Sequence, residues 1–369
     1  MTETPRKVFV NGRFLRGPIT GTTRVAEEIL AQWDARLGLD AALRAHLDIT
    51  VLRPQERMRD LTLKHIPQMD VNWFGGKLWE PVDLLLAARD GILVNFANIA
   101  PFLHPRSIVY LHDAQVFLYP HSYPLQERLL HRLFIRLGGR AARRVITISQ
   151  FSADMLVQFG LARRENIVVI HNGADHILRE HQDDEVLARF RLTSRSYVLM
   201  FGSGFAYKNN KVVYEAIKRL GPDAPHLAVI GRADERRRLS EILEDGAGNV
   251  TLVHDISDGA LRALYANALV FAAPSRTEGY PITPLEALNC GCPVITTPEG
   301  SMPEVLADTV DYAGADDADA WAAAILTHVR QPALRAAPSL EAGRALAASK
   351  TWAHAAERLL CEIEQFRTA

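Results

Sequence analysis

Cysteine is scarce in this chain of 369 residues: Cys290, Cys292 and Cys361 are the only three. An odd count without metal-ligand spacing argues against a disulfide framework or a structural zinc site, and it fits a reducing cytoplasm. No run of about 18 apolar residues occurs, so no membrane-spanning helix is expected. The opening MTETPRKVFV lacks the long apolar stretch of a secretory signal. Low-complexity tracts are missing, which argues against disorder. No Gly-Lys-Ser/Thr phosphate loop is present, and no Asp-x-Asp pair falls at an expected strand end. The chain is therefore expected to need no divalent metal and no other cofactor. Its net charge of −1 excludes a strongly basic nucleic-acid binder.

What is present is an ordinary globular balance, 48% apolar and 23% charged. At roughly 150 residues per domain, the length suggests two domains. Charge is uneven: residues 1–180 sum to +5 and the remainder to −6. That asymmetry points the first half towards something anionic.

Short Val- and Ile-rich runs alternate with helical patterns. The strand candidates are 7–10, 47–52, 91–96, 107–113, 144–149 and 166–172, then 197–203, 226–231, 250–255, 268–275 and 293–297. Helical patterns fill 22–36, 124–142, 209–220, 233–244 and 258–266. Runs this apolar suit strands buried on both faces, and the alternation predicts parallel sheets with right-handed crossovers. Two such series make two doubly wound, Rossmann-like α/β domains, expected at 1–182 and 183–345, with a terminal helix at 346–369. The polar stretch 173–186 separates them.

In open α/β sheets, ligands bind beyond the carboxyl ends of strands. EGYPITPLE (278–286) follows the run ALVFAAPS there and carries two carboxylates. Glu278 falls in a Gly/Pro loop, and Glu286 in the first turn of a helix. Carboxylates so placed accept hydrogen bonds from sugar or ribose hydroxyls, and the helix start offers N–H groups to a diphosphate. Thr283-x-x-Glu286 also has the spacing of a capping box, which leaves Glu286 open to a purely structural role. Lys208, in FGSGFAYKNN (201–210), follows an expected strand and precedes a helix, and taken by itself it reads as a solvated surface lysine.

EGYPITPLEALNCGCPVITTPEGSMPEV (278–305) resembles the donor-site signature of the family-4 glycosyltransferases. The resemblance implies the GT-B fold, with two Rossmann-like domains facing each other across a cleft, and sugar transfer with retention of anomeric configuration. It extends to NGRFLRGPITGTTRVAEEI (11–29), YLHDAQVFLYP (110–120), FGSGFAYKNN, HNGAD (171–175) and the last helical segment, which often returns to the first domain. It implies catalytic roles for His112, Lys208 and Glu278. It implies a nucleotide-sugar site made of Gly21, Ser203, Lys208, Glu278, Gly279, Tyr280, Pro281 and Glu286. Where many members carry an arginine a few residues before the lysine, this chain has Ser203, so the positive charge at the diphosphate is either reduced or supplied elsewhere, with Arg13, Arg24 and Arg276 among the candidates.

The expected partners are a nucleotide-diphosphate sugar and a saccharide or lipid-linked saccharide acceptor, with no nucleic acid. The alternatives are a sugar-nucleotide epimerase or hydrolase of the same fold and a non-catalytic sugar-nucleotide-binding protein. Two segments bear on the acceptor. LQERLLHRLFIRLGGRAARR (125–144) is apolar at 125, 129, 130, 133, 134 and 137 with arginines between. It reads either as a core-packed helix with a solvated basic face or as a helix lying on an anionic membrane. NWFGGKLWEP (72–81) sets Trp73, Phe74 and Trp79 where they could stack on sugar or lipid, or pack. The expected location is cytoplasmic, with peripheral contact at the inner face of the cytoplasmic membrane.

Overall fold

The computed structural model describes residues 5–98, 100–231 and 249–366. The expected helix at 233–244 lies outside them. The chain divides into two compact units, one of Met1–Asn172 with Trp352–Ala369, the other of Gly173–Thr351.

In the first unit, β1 (Arg6–Asn11), β2 (Leu47–Arg53), β3 (Gln68–Asp70), β4 (Ile92–Asn95), β5 (Ser107–Tyr110), β6 (Arg144–Thr147) and β7 (Ile167–Val169) form one parallel sheet. Their order is β3-β2-β1-β4-β5-β6-β7. In the second, β8 (Tyr197–Phe201), β9 (His226–Ile230), β10 (Val250–Val253), β11 (Val270–Ala273), β12 (Val294–Thr296) and β13 (Asp311–Tyr312) are also parallel, in the order β10-β9-β8-β11-β12-β13. Every residue of β4 and β5 is buried, as a strand covered on both faces requires. β3 and β13 escape the sequence pattern because they are edge strands of three and two mostly polar residues. In each sheet the order reverses beside its first strand, so switch points fall between β1 and β4 and between β8 and β11.

The helix Trp352–Glu364 belongs to the first unit. Its buried stripe is Ala355, Ala356, Leu359, Leu360 and Ile363, and each such leucine is worth roughly 1.5–3 kcal/mol on burial. The indole of Trp33, on the helix Gly21–Leu39, donates to the Ala356 carbonyl at 3.0 Å. Arg6 donates to the last carbonyls of that helix, Ile363 at 2.6 Å and Glu364 at 2.8 Å, which no intrahelical N–H can reach. The segment after β7 enters the second unit early. There the Ala174 N–H donates to Lys350 at 2.9 Å, and the Ala174 carbonyl accepts from Asn289 at 3.1 Å.

The helix Leu125–Ala141 overturns the reading of a core-packed apolar face. Its inner face is Ile135, Gly138 and Gly139, not the leucine row. A Cβ on Gly139 would stand 2.5 Å from the Leu161 carbonyl oxygen, so glycine sets how closely the helix backbone packs. That register turns Leu125, Leu129, Leu130, Leu133, Phe134 and Leu137 outwards, 36% to 60% exposed. Arg128 and Arg132 instead lie along the protein and donate to the carbonyls of Pro120 and Val116, and the Arg132 guanidinium covers the Phe117 ring at 5.0 Å. The aromatics of 72–81 divide. Trp79 is fully buried and donates to Val71 at 2.8 Å, whereas Trp73 and Phe74 are exposed. The buried Asp83 carboxylate accepts the N–H groups of Phe74 and Gly75 and holds that turn in place.

Candidate active site

The loops after β8 and β11 flank the second switch point, and they are stitched together. The Arg276 N–H donates to the Tyr207 carbonyl at 2.8 Å. Asn209 sits at φ +56°, a left-handed conformation that asparagine tolerates. From there its amide donates to Pro274 at 3.1 Å and to Ala315 at 2.7 Å. This framework brings Lys208 and Glu278 together: Nζ lies 2.6 Å from Oε1, with both side chains about a quarter to a third exposed. A third loop closes from behind. Gly300 has φ +63°, and a Cβ there would stand 2.8 Å from the Glu278 nitrogen. Only glycine allows the turn after β12 to approach, and it lets Ser301 N–H donate to the Glu278 carbonyl at 3.2 Å. Gly300 was overlooked in the sequence, although Pro-Glu-Gly-Ser after an apolar strand is a turn signal.

Such a pair is partly neutralised when nothing else is bound, yet reachable. Chemically, such a lysine can take up an anion and such a carboxylate can accept from hydroxyl groups. Ser203 lies on the same loop after β8, and its hydroxyl accepts from the Phe205 N–H at 3.3 Å. Gly279 and Tyr280 are buried between Glu278 and the helix Ile282–Asn289, which Pro281 precedes as N-cap. Burial raises the Tyr280 hydroxyl well above the usual phenol range.

Glu286 departs from expectation. It lies in the second turn of that helix, not the first, and the helix has no side-chain cap, so the capping box does not form. Its carboxylate is 4% exposed. Oε1 lies 2.9 Å from His176 Nε2, and Oε2 accepts from the Tyr265 hydroxyl at 3.0 Å. Burial, and then the Glu286 charge, push the Tyr265 hydroxyl upwards. His176 and Tyr265 were missed. His176 stands one residue past HNGAD, and Tyr265 falls within an ordinary helical pattern, Asp258–Asn267.

The arginines proposed to offset Ser203 have other engagements. Arg276 forms a double hydrogen bond with Asp316, one arm at 2.8 Å, and Arg13 pairs with Glu80. Burial lowers the Arg13 guanidinium.

In the first unit, the carboxyl ends of the strands carry amides and a neutral histidine. Asn11, ending β1, donates to Asn95, ending β4, at 2.9 Å and to Glu80 at 3.3 Å. These three were not singled out, though asparagine closing an apolar run is a visible signal in VFVN and ILVN. His112, beyond β5, does not stand at an open mouth. It is 2% exposed, its ring packs 5.5 Å from Tyr110, and Nε2 meets the Phe96 carbonyl at 2.7 Å. Burial outweighs that bond and lowers its pKa to about 4. A neutral ring must then donate from Nε2, which leaves Nδ1 as the acceptor. Gly21 opens the helix Gly21–Leu39, with Thr20 and Thr23 forming a capping box, and the space a Cβ would fill there is empty. Cys292 is buried, and burial pushes its thiol and that of Cys290 up to about 12; none of the three cysteines is in a disulfide. Among the described residues, no group of three His, Cys, Asp or Glu side chains is placed to hold a metal ion.

Two parallel sheets, each with a strand-order reversal and one with a Lys–Glu pair at that point, define a two-unit, doubly wound α/β protein. Comparison with known proteins gives the family. Residues 185–343 match the model of glycosyl transferases group 1, and residues 53–178 match that of glycosyltransferase family 4. The chain is 26% identical over 265 residues to the O-antigen chain mannosyltransferase RfbU of Salmonella typhimurium, covering 67% of this chain and 69% of that one. Among solved structures, sucrose-phosphate synthase of Thermosynechococcus elongatus superposes with a TM-score of 0.76 at 16% identity, over 98% of both chains. HepE of Anabaena, solved with UDP and glucose, does so with a TM-score of 0.73 at 19% identity, over 98% of this chain and 99% of that one. The chain belongs to the family-4 glycosyltransferases and has the GT-B fold.

Proposed function

We propose that this glycosyltransferase moves a hexosyl or deoxyhexosyl group from a nucleotide-diphosphate sugar to a hydroxyl of a growing or lipid-linked bacterial polysaccharide, with retention and without a metal. The observation that carries this reading is the Lys208–Glu278 pair at the β8/β11 switch point. The O-antigen role of RfbU and the UDP bound to HepE support the substrate class.

In this reading the diphosphate takes Lys208 and backbone amides near Gly21 and in the 279–281 loop, with Ser203 beside it. Releasing Glu278 from the lysine gives the sugar hydroxyls an acceptor. Charge builds on the diphosphate as the glycosidic bond breaks, so Lys208 acts mainly in the transition state. The acceptor hydroxyl attacks from the leaving-group face and gives its proton to the departing phosphate. Binding has to uncover the buried His112 ring before its Nδ1 can accept from a sugar hydroxyl. Glu286 reaches the ribose by exchanging its Tyr265 or His176 contact for a ribose hydroxyl.

No described helix is long and apolar enough to cross a membrane. The leucine row of the helix Leu125–Ala141 supports a peripheral location at the inner face of the cytoplasmic membrane, where a lipid-linked acceptor resides. The test is incubation with UDP-, GDP-, dTDP- and ADP-sugars, with and without lipid extract. Acceptor-dependent transfer of sugar from one donor, with the anomeric configuration kept, supports the proposal. Epimerisation or hydrolysis at the same rate without acceptor, or binding without turnover, would replace it.

A further inference from the structure

The amino ends of β5, β6 and β7 carry a feature that glycosyl transfer leaves unused. A recess of about 600 Å³ opens there, lined by Arg140, Arg143, Arg144, Arg163, Asn166 and Phe366. Separate segments converge on it. Arg140 closes the helix Leu125–Ala141, Arg143 and Arg144 lead into β6, and Arg163 and Asn166 lead into β7. Phe366 follows the helix Trp352–Glu364. Because the strands are parallel, this is the opposite edge of the sheet from His112, which lies beyond the carboxyl end of β5. The recess is thus distinct from the strand-end groups assigned to substrate.

Four arginines line this recess with little compensation. Among the described residues, the only carboxylate in ion-pair range of any of them is Glu362, 3.5 Å from Arg144. The other recorded contacts orient the heads without neutralising them. Arg140 donates to the Gly160 carbonyl at 2.8 Å, Arg144 to the Glu165 carbonyl at 3.4 Å, and Arg143 lies 5.9 Å from the Phe366 ring centre. The carboxyl end of a helix attracts a cation, which accounts for Arg140. It does not account for Arg163, which arrives from another segment. Like charges gathered in a concavity raise a focused positive potential, and guanidinium forks match the oxygens of a phosphate two at a time. A lining with four arginines and no carboxylate side chain offers little to a cation. The volume lies within the range of small-molecule sites, so the phosphate can carry a substituent.

We propose that this recess is a second anion site that binds a phosphate group, presented either by an anionic lipid headgroup or by a soluble phosphorylated molecule. The headgroup source fits Arg140, since it ends the helix whose leucines face outwards.

The test uses the full chain in a Lys208→Ala background, which removes the lysine assigned to the diphosphate and so separates this site from the catalytic reading. Calorimetric titration with inorganic pyrophosphate should show one saturable site that weakens as salt rises. Arg143→Gln with Arg163→Gln should weaken it about tenfold or more, at unchanged melting temperature. Arg164→Gln is the control, because Arg164 pairs with Asp154 at 2.7 Å and does not line the recess. A parallel arm measures sedimentation with phosphatidylglycerol and phosphatidylcholine vesicles. Loss of phosphatidylglycerol binding in the double variant, and its competition by pyrophosphate, identify a headgroup. Unchanged vesicle binding in a double variant that has lost pyrophosphate identifies a soluble phosphate. No saturable heat, or equal affinity in the double variant and in Arg164→Gln, overturns the site.

Discussion

The two sheets repeat one strand order and differ in what stands at their carboxyl ends. The second presents a lysine paired with a carboxylate, both reachable from solvent. The first presents two asparagines in contact and a buried, neutral histidine. A shared scaffold thus carries two electrostatic characters. One suits an anion that gains charge as it leaves, and the other suits hydroxyl groups, which exchange hydrogen bonds with amides and imidazole without charge.

Removing the charged member should break the contrast most. Lys208→Ala should lower kcat by two to three orders of magnitude, equivalent to roughly 3–4 kcal/mol, with the acceptor KM little changed. Steady-state kinetics with varied acceptor check this, and an unaltered kcat would take Lys208 out of the mechanism.

The two glutamates sharpen the comparison within the second unit. Glu278→Gln should cut transfer by about a hundredfold while nucleoside diphosphate still binds. Glu286→Gln should weaken nucleotide binding, and it should also cost about 1–3 kcal/mol of stability, because His176 and Tyr265 lose a charged acceptor in a buried place. Calorimetric titration and melting curves separate the two. Loss of stability with unchanged nucleotide affinity would make Glu286 structural only.

The first unit's neutral histidine predicts a smaller, pH-dependent effect. His112 binds a proton near pH 6.5 when unfolded and at about 4 when folded, so the unfolded chain holds more protons between those values. Its contribution is present above pH 6.5 and is lost as pH falls towards 4. Between pH 7 and pH 5 the loss is about 2 kcal/mol. His112→Asn should therefore lose less stability over that interval than the parent in urea melts. Equal losses would show that the ring is already charged in the fold.

The least effect is expected from chelation. Under the proposed mechanism turnover should continue at its full rate in EDTA, because that reading assigns the diphosphate to lysine and backbone donors. Loss of activity that magnesium or manganese restores would require a metal.

Sequence alone carried much of this architecture, for reasons that can be stated. Parallel strands covered on both faces are mostly apolar, so β4, β5 and β8 stand out, whereas QMD and DY at the sheet edges do not. Lys208 and Glu278 were legible because each follows a strand at a switch point. The capping-box alternative for Glu286 fails because its spacing from Thr283 imitates a cap that the helix Ile282–Asn289 does not form, and its contact His176 lies 110 residues away in the chain. The helix Leu125–Ala141 shows a further limit. Periodicity reveals two faces but not which one turns inwards, and here the close approach at Gly139 decides it.

The Trp33–Ala356 hydrogen bond spans 323 residues of chain, and it fixes the order in which a nascent protein can be finished. All seven strands of the first sheet leave the ribosome before residue 173, yet the helix that covers Trp33 emerges after the whole second unit. The first unit must wait, with that apolar surface uncovered, through the synthesis of 179 intervening residues. At roughly 5–20 residues per second, the wait lasts about ten seconds or more. The unit begun first is closed only after the second unit has been made, and a frameshift just ahead of Trp352 would injure the unit that holds Trp33.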